Sequence, residues 1–213
     1  HTLAVAYAWL TGLERPDAIL LLGQVLNALM PLSAYAFAWW TTRKRWAAVG
    51  AAAIVGLVSL FPDYYVSWGR YTQLTGLAIL GPLLGLLTTS VESQRWDRRA
   101  AWQSVWIGVL AAGLVYAHYR VLAFALTFAL ALLIVRRRLP WRIWLASSGI
   151  ALVLTGPWLW RLVQVWIAPR LSDPGSYLAA VGYNDFPWQY FNGNLERAWW
   201  ILAAIGILVG LIR

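Results

Sequence analysis

The sequence has no cysteine and a single methionine, so neither a disulfide framework nor a thiolate metal site can form from this chain. Charge is scarce as well: 12% of the 213 residues are charged, and only eight of them are acidic. The two histidines, His1 and His118, argue against a haem held by two histidines within the chain. Glycine-rich phosphate loops, nucleophile elbows and paired metal-ligand spacings are missing from the sequence. No common catalytic signature therefore identifies a reaction.

Apolar residues dominate what is present, at 61% of the chain. Charged residues gather in short clusters between long apolar runs, which is typical of a chain that crosses a bilayer several times as α-helices. We therefore predict an all-α, polytopic helical membrane protein in which residues 1–213 form a single transmembrane domain. The chain begins at His1 rather than at a start residue, and we expect an internal fragment of a longer protein.

About seven transmembrane helices are predicted from apolar runs bounded by charge. The second and fifth of them are short for a hydrocarbon core of about 30 Å, so we expect these two to stand nearly upright or to sit in locally thinned bilayer. The apolar segment Thr2–Leu13 is too short to cross, which predicts a re-entrant or interfacial helix. The approximate spans are 17–41, 46–61, 72–90, 101–117, 120–135, 143–166 and 198–212.

Basic residues alternate between the two sides when these spans are laid head to tail. The net charge of +9 comes from one side, where acidic residues are few, whereas arginines and acids are matched in number on the other. The positive-inside rule predicts that the basic side is cytoplasmic. In a bacterium, the membrane is then expected to be the inner (plasma) membrane. Because topology accounts for the basic residues, no nucleic-acid partner is expected. The cytoplasmic clusters lie within 43–45, 95–99 and 136–142, with Arg213 on the same side.

Aromatic residues are abundant, with 16 tryptophans and 10 tyrosines. Most tryptophans stand at span ends, which is typical of the interfacial aromatic belt of membrane proteins. Stacking on a sugar or an isoprenoid tail is the alternative for those on the outer side, and Trp188 and Tyr190 are the best candidates for it.

The first outer loop, residues 61–71, combines a carboxylate with an arginine and several hydroxyl groups. Arg70 offers a planar fork that matches phosphate oxygens, and Asp63 could take a metal or a sugar hydroxyl. The alternative is that Asp63 and Arg70 only pair with each other or cap the next helix.

The second polar segment is the tight turn that contains His118 and Arg120. Ionisable groups this close to hydrocarbon are functional candidates, because burying charge there is expensive. The alternative is that Arg120 has no such function and only extends its charged end to the lipid headgroups.

The longest loop, residues 167–197, is predicted to be extracytoplasmic and irregular because it holds three prolines and several glycines. Loops of this length are usually functional or disordered. Asp185 and Glu196 are its candidate active carboxylates, and Trp188 is a candidate for contact with substrate.

The order of these segments resembles the GT-C glycosyltransferases, multi-span membrane proteins of bacteria and archaea. The resemblance rests on short stretches spread along most of the chain, without a diagnostic motif. They are His1-Thr2-Leu3-Ala4, Leu10-Thr11-Gly12-Leu13, Gly23-Gln24-Val25-Leu26-Asn27-Ala28, Trp68-Gly69-Arg70-Tyr71 and His118-Tyr119-Arg120.

The resemblance implies transfer of a sugar from a polyprenyl-phosphate donor on the extracytoplasmic face. It implies that Arg70, His118 and Arg120 hold the donor phosphate and that the 167–197 loop covers the acceptor. The family's catalytic carboxylate lies in an outer loop between the family's first span and the short helix with which this chain begins. The sequence does not include that loop, so no catalytic residue is assigned. No cofactor is predicted, although a divalent metal could steady the leaving phosphate together with the arginines.

A different class of function, a non-catalytic accessory subunit of a larger membrane complex such as a respiratory or photosynthetic one, is the main alternative. Small residues in 47–56 and 76–85 suit close helix packing against other membrane subunits, and they suit packing inside a single protein equally well. A transporter is the third reading, but no convincing internal repeat supports it. Membrane lipid is an expected partner in every case.

Overall fold

The chain is described here by a computed structural model. It divides into two compact units, residues 1–159 and 160–213, of which the first contains nearly all the described structure. The second unit contributes the end of the last long helix and four further helical positions. The structure describes residues 2–59, 61–93, 95–136 and 140–168, together with 201, 204, 205 and 208.

The described residues form α-helices joined by short turns, which confirms the predicted all-α fold. Two of the helices continue into a π-helical turn, α3 over Ile54–Val58 and α8 over Val163–Ile167. The helices are α1 Thr2–Thr11, α2 Arg15–Thr42, α3 Arg45–Ala53, α4 Phe61–Ser67, α5 Tyr71–Ser90, α6 Arg98–Ala117, α7 Tyr119–Arg136 and α8 Trp141–Leu162.

Five of these helices, α2, α5, α6, α7 and α8, are long and apolar enough to cross a membrane. They coincide with five of the predicted spans to within a few residues. The predicted span at 46–61 corresponds to the shorter apolar helix Arg45–Val58. The predicted span at 198–212 lies almost entirely outside the described residues.

The N-terminal segment folds back on the first long helix rather than forming another crossing. Helix α1 has ten residues, about 15 Å of length, and ends in a turn at Gly12, whose φ of 69° favours glycine. Ala4 and Tyr7 pack against the buried cluster that contains Leu22 and Leu74. These contacts place α1 against the bundle, and its re-entrant or interfacial position stays a prediction.

Helices α2 and α5 run parallel and form the tightest pair of the first unit. Three glycines permit the close approach, because a Cβ atom at Gly23 would meet Tyr71, one at Gly81 would meet Ser33, and one at Gly85 would meet Trp40. Two of these three glycines fall in the 76–85 stretch of small residues. That stretch therefore packs within this chain and needs no other subunit to explain it.

Ser33 inserts into the hydrogen-bond ladder of α5 just before Pro82. Its Oγ donates to the carbonyl of Leu77 at 2.9 Å and accepts from the amide of Gly81 at 3.2 Å. The serine thus bridges a donor and an acceptor that would bond each other in an uninterrupted helix. A proline inside a helix frees backbone groups that apolar surroundings cannot satisfy, and a neighbouring hydroxyl is one way to satisfy them.

Contacts at the C-terminal end of α5 show that helices α5 to α8 alternate in direction. Gln103 Nε2 on α6 donates to Thr89 Oγ1 at 3.3 Å, and Trp144 Nε1 on α8 donates to Ser90 Oγ at 2.9 Å. The end of α5 therefore meets the beginnings of α6 and α8. This alternation brings the described basic residues of 43–45, 95–99 and 136–142 to one end of the first unit.

The Trp144–Ser90 hydrogen bond gives a stability prediction. Trp144→Phe keeps most of the ring but removes the donor, so we expect a loss of about 0.6–1 kcal/mol of unfolding free energy. Trp106→Phe is the matched control, because Trp106 is 53% exposed and no hydrogen bond is found for it in the described chain. Thermal unfolding of both variants in lipid nanodiscs measures the difference, and equal transition temperatures would contradict the prediction.

The short helix α3 leaves the first outer loop recessed. From Arg45 to Val58 it extends only about 21 Å, against a hydrocarbon core of about 30 Å. Ser59 is extended, and α4 follows directly after residue 60. Counted from a membrane boundary at Arg45, Ser59 therefore falls short of the opposite boundary of a bilayer of ordinary thickness.

Candidate functional site

A tight turn between α4 and α5 positions Arg70. Gly69 adopts a φ of 64°, and the amide of Arg70 bonds the carbonyl of Tyr65 at 2.9 Å. The guanidinium carbon of Arg70 then lies 4.9 Å from the centre of the Trp68 ring, which itself contacts Tyr64 with ring centres 4.5 Å apart. An arginine held over an aromatic face is fixed in position while its N–H groups can still bond an anion.

The hairpin between α6 and α7 positions the second polar group. His118 is the single non-helical residue between the two helices, with extended backbone, and its carbonyl accepts from the amide of Val121 at 3.0 Å. The His118 ring stacks on Tyr119 with centres 5.6 Å apart. Arg120 Nε donates to the hydroxyl of Tyr119 at 3.2 Å. Histidine, tyrosine and arginine are thus held side by side at the start of α7.

The packing of α5 against α7 brings the turn before α5, with Arg70, close to the hairpin before α7, with His118. A Cβ atom at Gly76 would meet the side chain of Val121 at 3.1 Å, so the second turn of α5 packs closely against the first turn of α7. Burial lowers the pKa of His118 below 6.5, and the positive charges of Arg120 and Arg70 lower it further. Arg70, His118 and Arg120, which the sequence analysis named as separate candidates, therefore lie within electrostatic range of one another, and we call these three residues the cationic cluster.

The electrostatics of the cationic cluster favour an anion. Two guanidinium groups act on one imidazole, and His118 Nδ1 is a buried atom that has no hydrogen-bond partner among the described residues. Nearby Tyr65 keeps its proton, because burial raises the pKa of its hydroxyl more than Arg70 lowers it. A phosphate oxygen next to these groups would be stabilised by charge-assisted hydrogen bonds.

A pH dependence follows from the position of His118. An anion bound beside the imidazole favours the protonated form of His118, so binding raises the pKa of this side chain. By linkage, the affinity for the anion rises as pH falls from about 7 towards the pKa that His118 has in the free protein. Short-chain phosphatidylglycerol is a suitable probe, because its phosphodiester keeps the same charge over this range. We expect His118→Gln to remove the slope measured by equilibrium binding at pH 5 to 8. Equal slopes for both proteins would show that His118 does not contact the anion.

Asp63 does not join the cationic cluster. Asn27 Nδ2 on α2 donates to Asp63 Oδ1, and in the described part of the chain no ion pair links Asp63 to Arg70. Arg70 stands at the position before α5 but makes no side-chain hydrogen bond that caps the helix. In the described residues, therefore, Asp63 and Arg70 do not pair with each other, and the Arg70 side chain does not cap α5.

A polar cleft surrounds the Asp63–Asn27 pair. Its volume is about 210 Å³. Helix α2 supplies one wall, the π-helical turn after α3 another, and the start of α4 the third. The lining residues are Gln24, Asn27, Ala28, Pro31, Val55, Gly56, Ser59, Pro62 and Asp63.

The sequence had not marked Gln24 and Asn27 as site residues. A signal was nevertheless present, since two carboxamides spaced by three residues lie on one face in the middle of a long apolar helix. Their partner at Asp63 is 36 positions further along the chain, and only the tertiary structure identifies it.

Two predicted site residues, Asp185 and Trp188, lie outside the described residues, as do Tyr190, Glu196 and most of the 167–197 loop. In the part of the chain that is described, no three histidine, aspartate or glutamate side chains come close enough to hold a metal ion. The roles proposed for these loop residues stay predictions.

The all-α architecture, with five long apolar helices, defines an integral membrane protein of the polytopic helical class. No protein-family model, curated protein or solved structure matches the chain.

Proposed function

We propose that this protein is a membrane-embedded transferase that takes a sugar from a polyprenyl-phosphate donor on the extracytoplasmic face. One observation carries the proposal, the grouping of Arg70, His118 and Arg120 at the end of the bundle opposite the basic clusters. A lipid-linked phosphate presents its charge near the membrane surface beside an apolar tail, and the cationic cluster offers complementary charge beside apolar helices.

The chemistry requires charge at the leaving group. An acceptor hydroxyl oxygen attacks the anomeric carbon, the bond from that carbon to the phosphate oxygen breaks, and the phosphate leaves with the bonding electrons. Guanidinium groups aimed at the phosphate stabilise this developing charge. In our proposal Arg70 and Arg120 fill this role, and His118 donates a hydrogen bond to the same phosphate. The base that receives the hydroxyl proton is not assigned.

Asp63 supports this assignment by its position. A carboxylate paired with Arg70 would neutralise the guanidinium and compete with phosphate. Because Asp63 is bound by Asn27 instead, the charge of Arg70 is available to a ligand.

The orientation in the membrane belongs to the same proposal. The end that carries the clusters of 43–45, 95–99 and 136–142 is cytoplasmic by the positive-inside rule, and the cationic cluster then faces the other side. In a bacterium the membrane is the inner one.

Lipid and protein analysis of the full-length protein, purified from native membranes, tests the proposal. We expect mass spectrometry to find a polyprenyl-phosphate sugar and no stoichiometric protein partner, and we expect Arg70→Gln to reduce the retained lipid. Arg15→Gln is the matched control, an exposed arginine at the same end of the bundle. A fixed set of partner subunits without isoprenoid phosphate would refute the transferase and identify an accessory subunit.

A further inference from the structure

Helix lengths, counted from the starts of α2 and α3 as the two membrane boundaries, place the polar cleft at membrane depth, where polar groups are costly. Asn27 lies about 18 Å from the start of α2, and Ser59 lies about 21 Å from the start of α3 at the opposite end of the bundle. Both distances place the cleft inside a hydrocarbon core of about 30 Å. A carboxylate and two carboxamides are expensive to place at such a depth, so they are candidates for a functional site.

Local backbone features open the cleft and add hydrogen-bonding groups to it. Pro31 lacks an N–H, so the carbonyl of Asn27 loses its usual helical donor. Opposite, the chain widens into the π-helical turn Ile54–Val58, and Gly56 in this turn contacts Pro31. Single π-helical turns of this kind occur frequently at functional sites.

The lining discriminates between ligand classes. It contains a carboxylate and no basic residue, so an anion such as phosphate is disfavoured. One carboxylate without other acidic or histidine side chains is a poor set for a metal ion. A purely apolar tail would offer no hydrogen bond to Gln24, to Ser59 or to the second carboxylate oxygen of Asp63. Groups that both donate and accept suit a neutral molecule rich in hydroxyls.

We propose that the polar cleft is a binding site for a neutral, hydroxyl-rich compound of about the size of one sugar ring, separate from the cationic cluster. Its volume of about 210 Å³ is below the roughly 300–1,000 Å³ typical of drug-sized ligands, which fits a single ring. Asp63 accepts hydrogen bonds from ligand hydroxyls, and the amides of Asn27 and Gln24 both donate and accept. The site does not depend on the transfer reaction proposed above.

Equilibrium binding of radiolabelled monosaccharides to the full-length protein tests the inference. The protein is held in lipid nanodiscs, because alkyl glycoside detergents carry sugar headgroups that would compete. The probes are glucose, galactose, mannose and arabinose. We expect at least one of them to bind saturably, and Asp63→Asn to weaken that binding about tenfold or more through loss of charge-assisted hydrogen bonds.

Ala28→Leu supplies a second variant that does not touch the carboxylate. Ala28 is exposed in the wall of the cleft, so a larger side chain fills the space and should also abolish binding. Asp17→Asn is the matched control, an exposed aspartate on α2 outside the cleft, and its affinity should stay unchanged. Arg70→Gln should not alter sugar affinity, which separates this site from the cationic cluster. The inference is overturned if none of the sugars binds, or if Asp63→Asn and Ala28→Leu bind like the parent protein.

Discussion

Gly81→Ala should destabilise the protein by about 3 kcal/mol or more, although alanine is the better helix former by about 1 kcal/mol. The added Cβ would lie 2.2 Å from the backbone carbonyl oxygen of Ser33 and 2.4 Å from its Oγ. A backbone atom of the neighbouring helix cannot rotate away as a flexible side chain can, so α2 and α5 must separate. Separation would also break the hydrogen bonds that Ser33 makes to α5.

Thermal unfolding in lipid nanodiscs measures this effect, with Gly149→Ala as the control. A Cβ at Gly149 meets nothing within 4 Å, so alanine there should be neutral or slightly stabilising. Gly85→Ala should be intermediate, because the Trp40 ring that it meets can shift. A side chain before a proline disfavours helical backbone, and Gly81 precedes Pro82. This effect alone does not explain a loss of stability at Gly81, because α2 accommodates Met30 directly before Pro31. Equal transition temperatures for Gly81→Ala and Gly149→Ala would show that α2 and α5 do not pack as described.

Arg70→Gln combined with Arg120→Gln should weaken binding of a polyprenyl phosphate about 100-fold or more. Each charged hydrogen bond to phosphate contributes about 1.5–3 kcal/mol, and every 1.4 kcal/mol is a factor of ten in affinity. Glutamine keeps a polar side chain of intermediate length, so the variant removes charge rather than volume. Titration of the lipid into nanodiscs that contain the full-length protein measures the affinity.

Arg43→Gln combined with Arg45→Gln provides the control, because it removes the same charge from the opposite end of the bundle. Its affinity should stay within a few-fold of that of the parent protein. Lysine at positions 70 and 120 should restore part of the affinity, since it returns the charge without the planar fork. Equal losses in the two double variants would mean that net charge alone governs binding, which contradicts a specific phosphate site.

The two proposed sites would have opposite preferences. In our proposals the cationic cluster binds an anion, whereas the polar cleft, whose described lining includes Asp63 and no basic residue, binds neutral hydroxyls. Both belong to the half of the bundle away from the basic clusters. A transferase needs a place for a charged leaving group and a place for a sugar or an acceptor alcohol, so the two proposals are compatible, and each has its own test.

The sequence by itself determined the class of the protein and the approximate helix limits. Apolar runs bounded by charge identify membrane helices because each charged residue in hydrocarbon is costly, so the limits at Arg15, Arg98 and Arg136 follow from composition alone. The isolated arginines and His118 were recognisable as candidates for the same reason.

Only the tertiary structure decided which of these residues meet. The pairing of Asp63 with Asn27 rather than with Arg70 depends on where α3 ends and how α4 turns, and no local pattern fixes that geometry. The grouping of Arg70 with His118 depends on Gly76, whose missing side chain lets α7 approach α5. Helix limits follow from the solvent preference of each segment, whereas contacts between helices follow from shape complementarity between residues far apart in the chain.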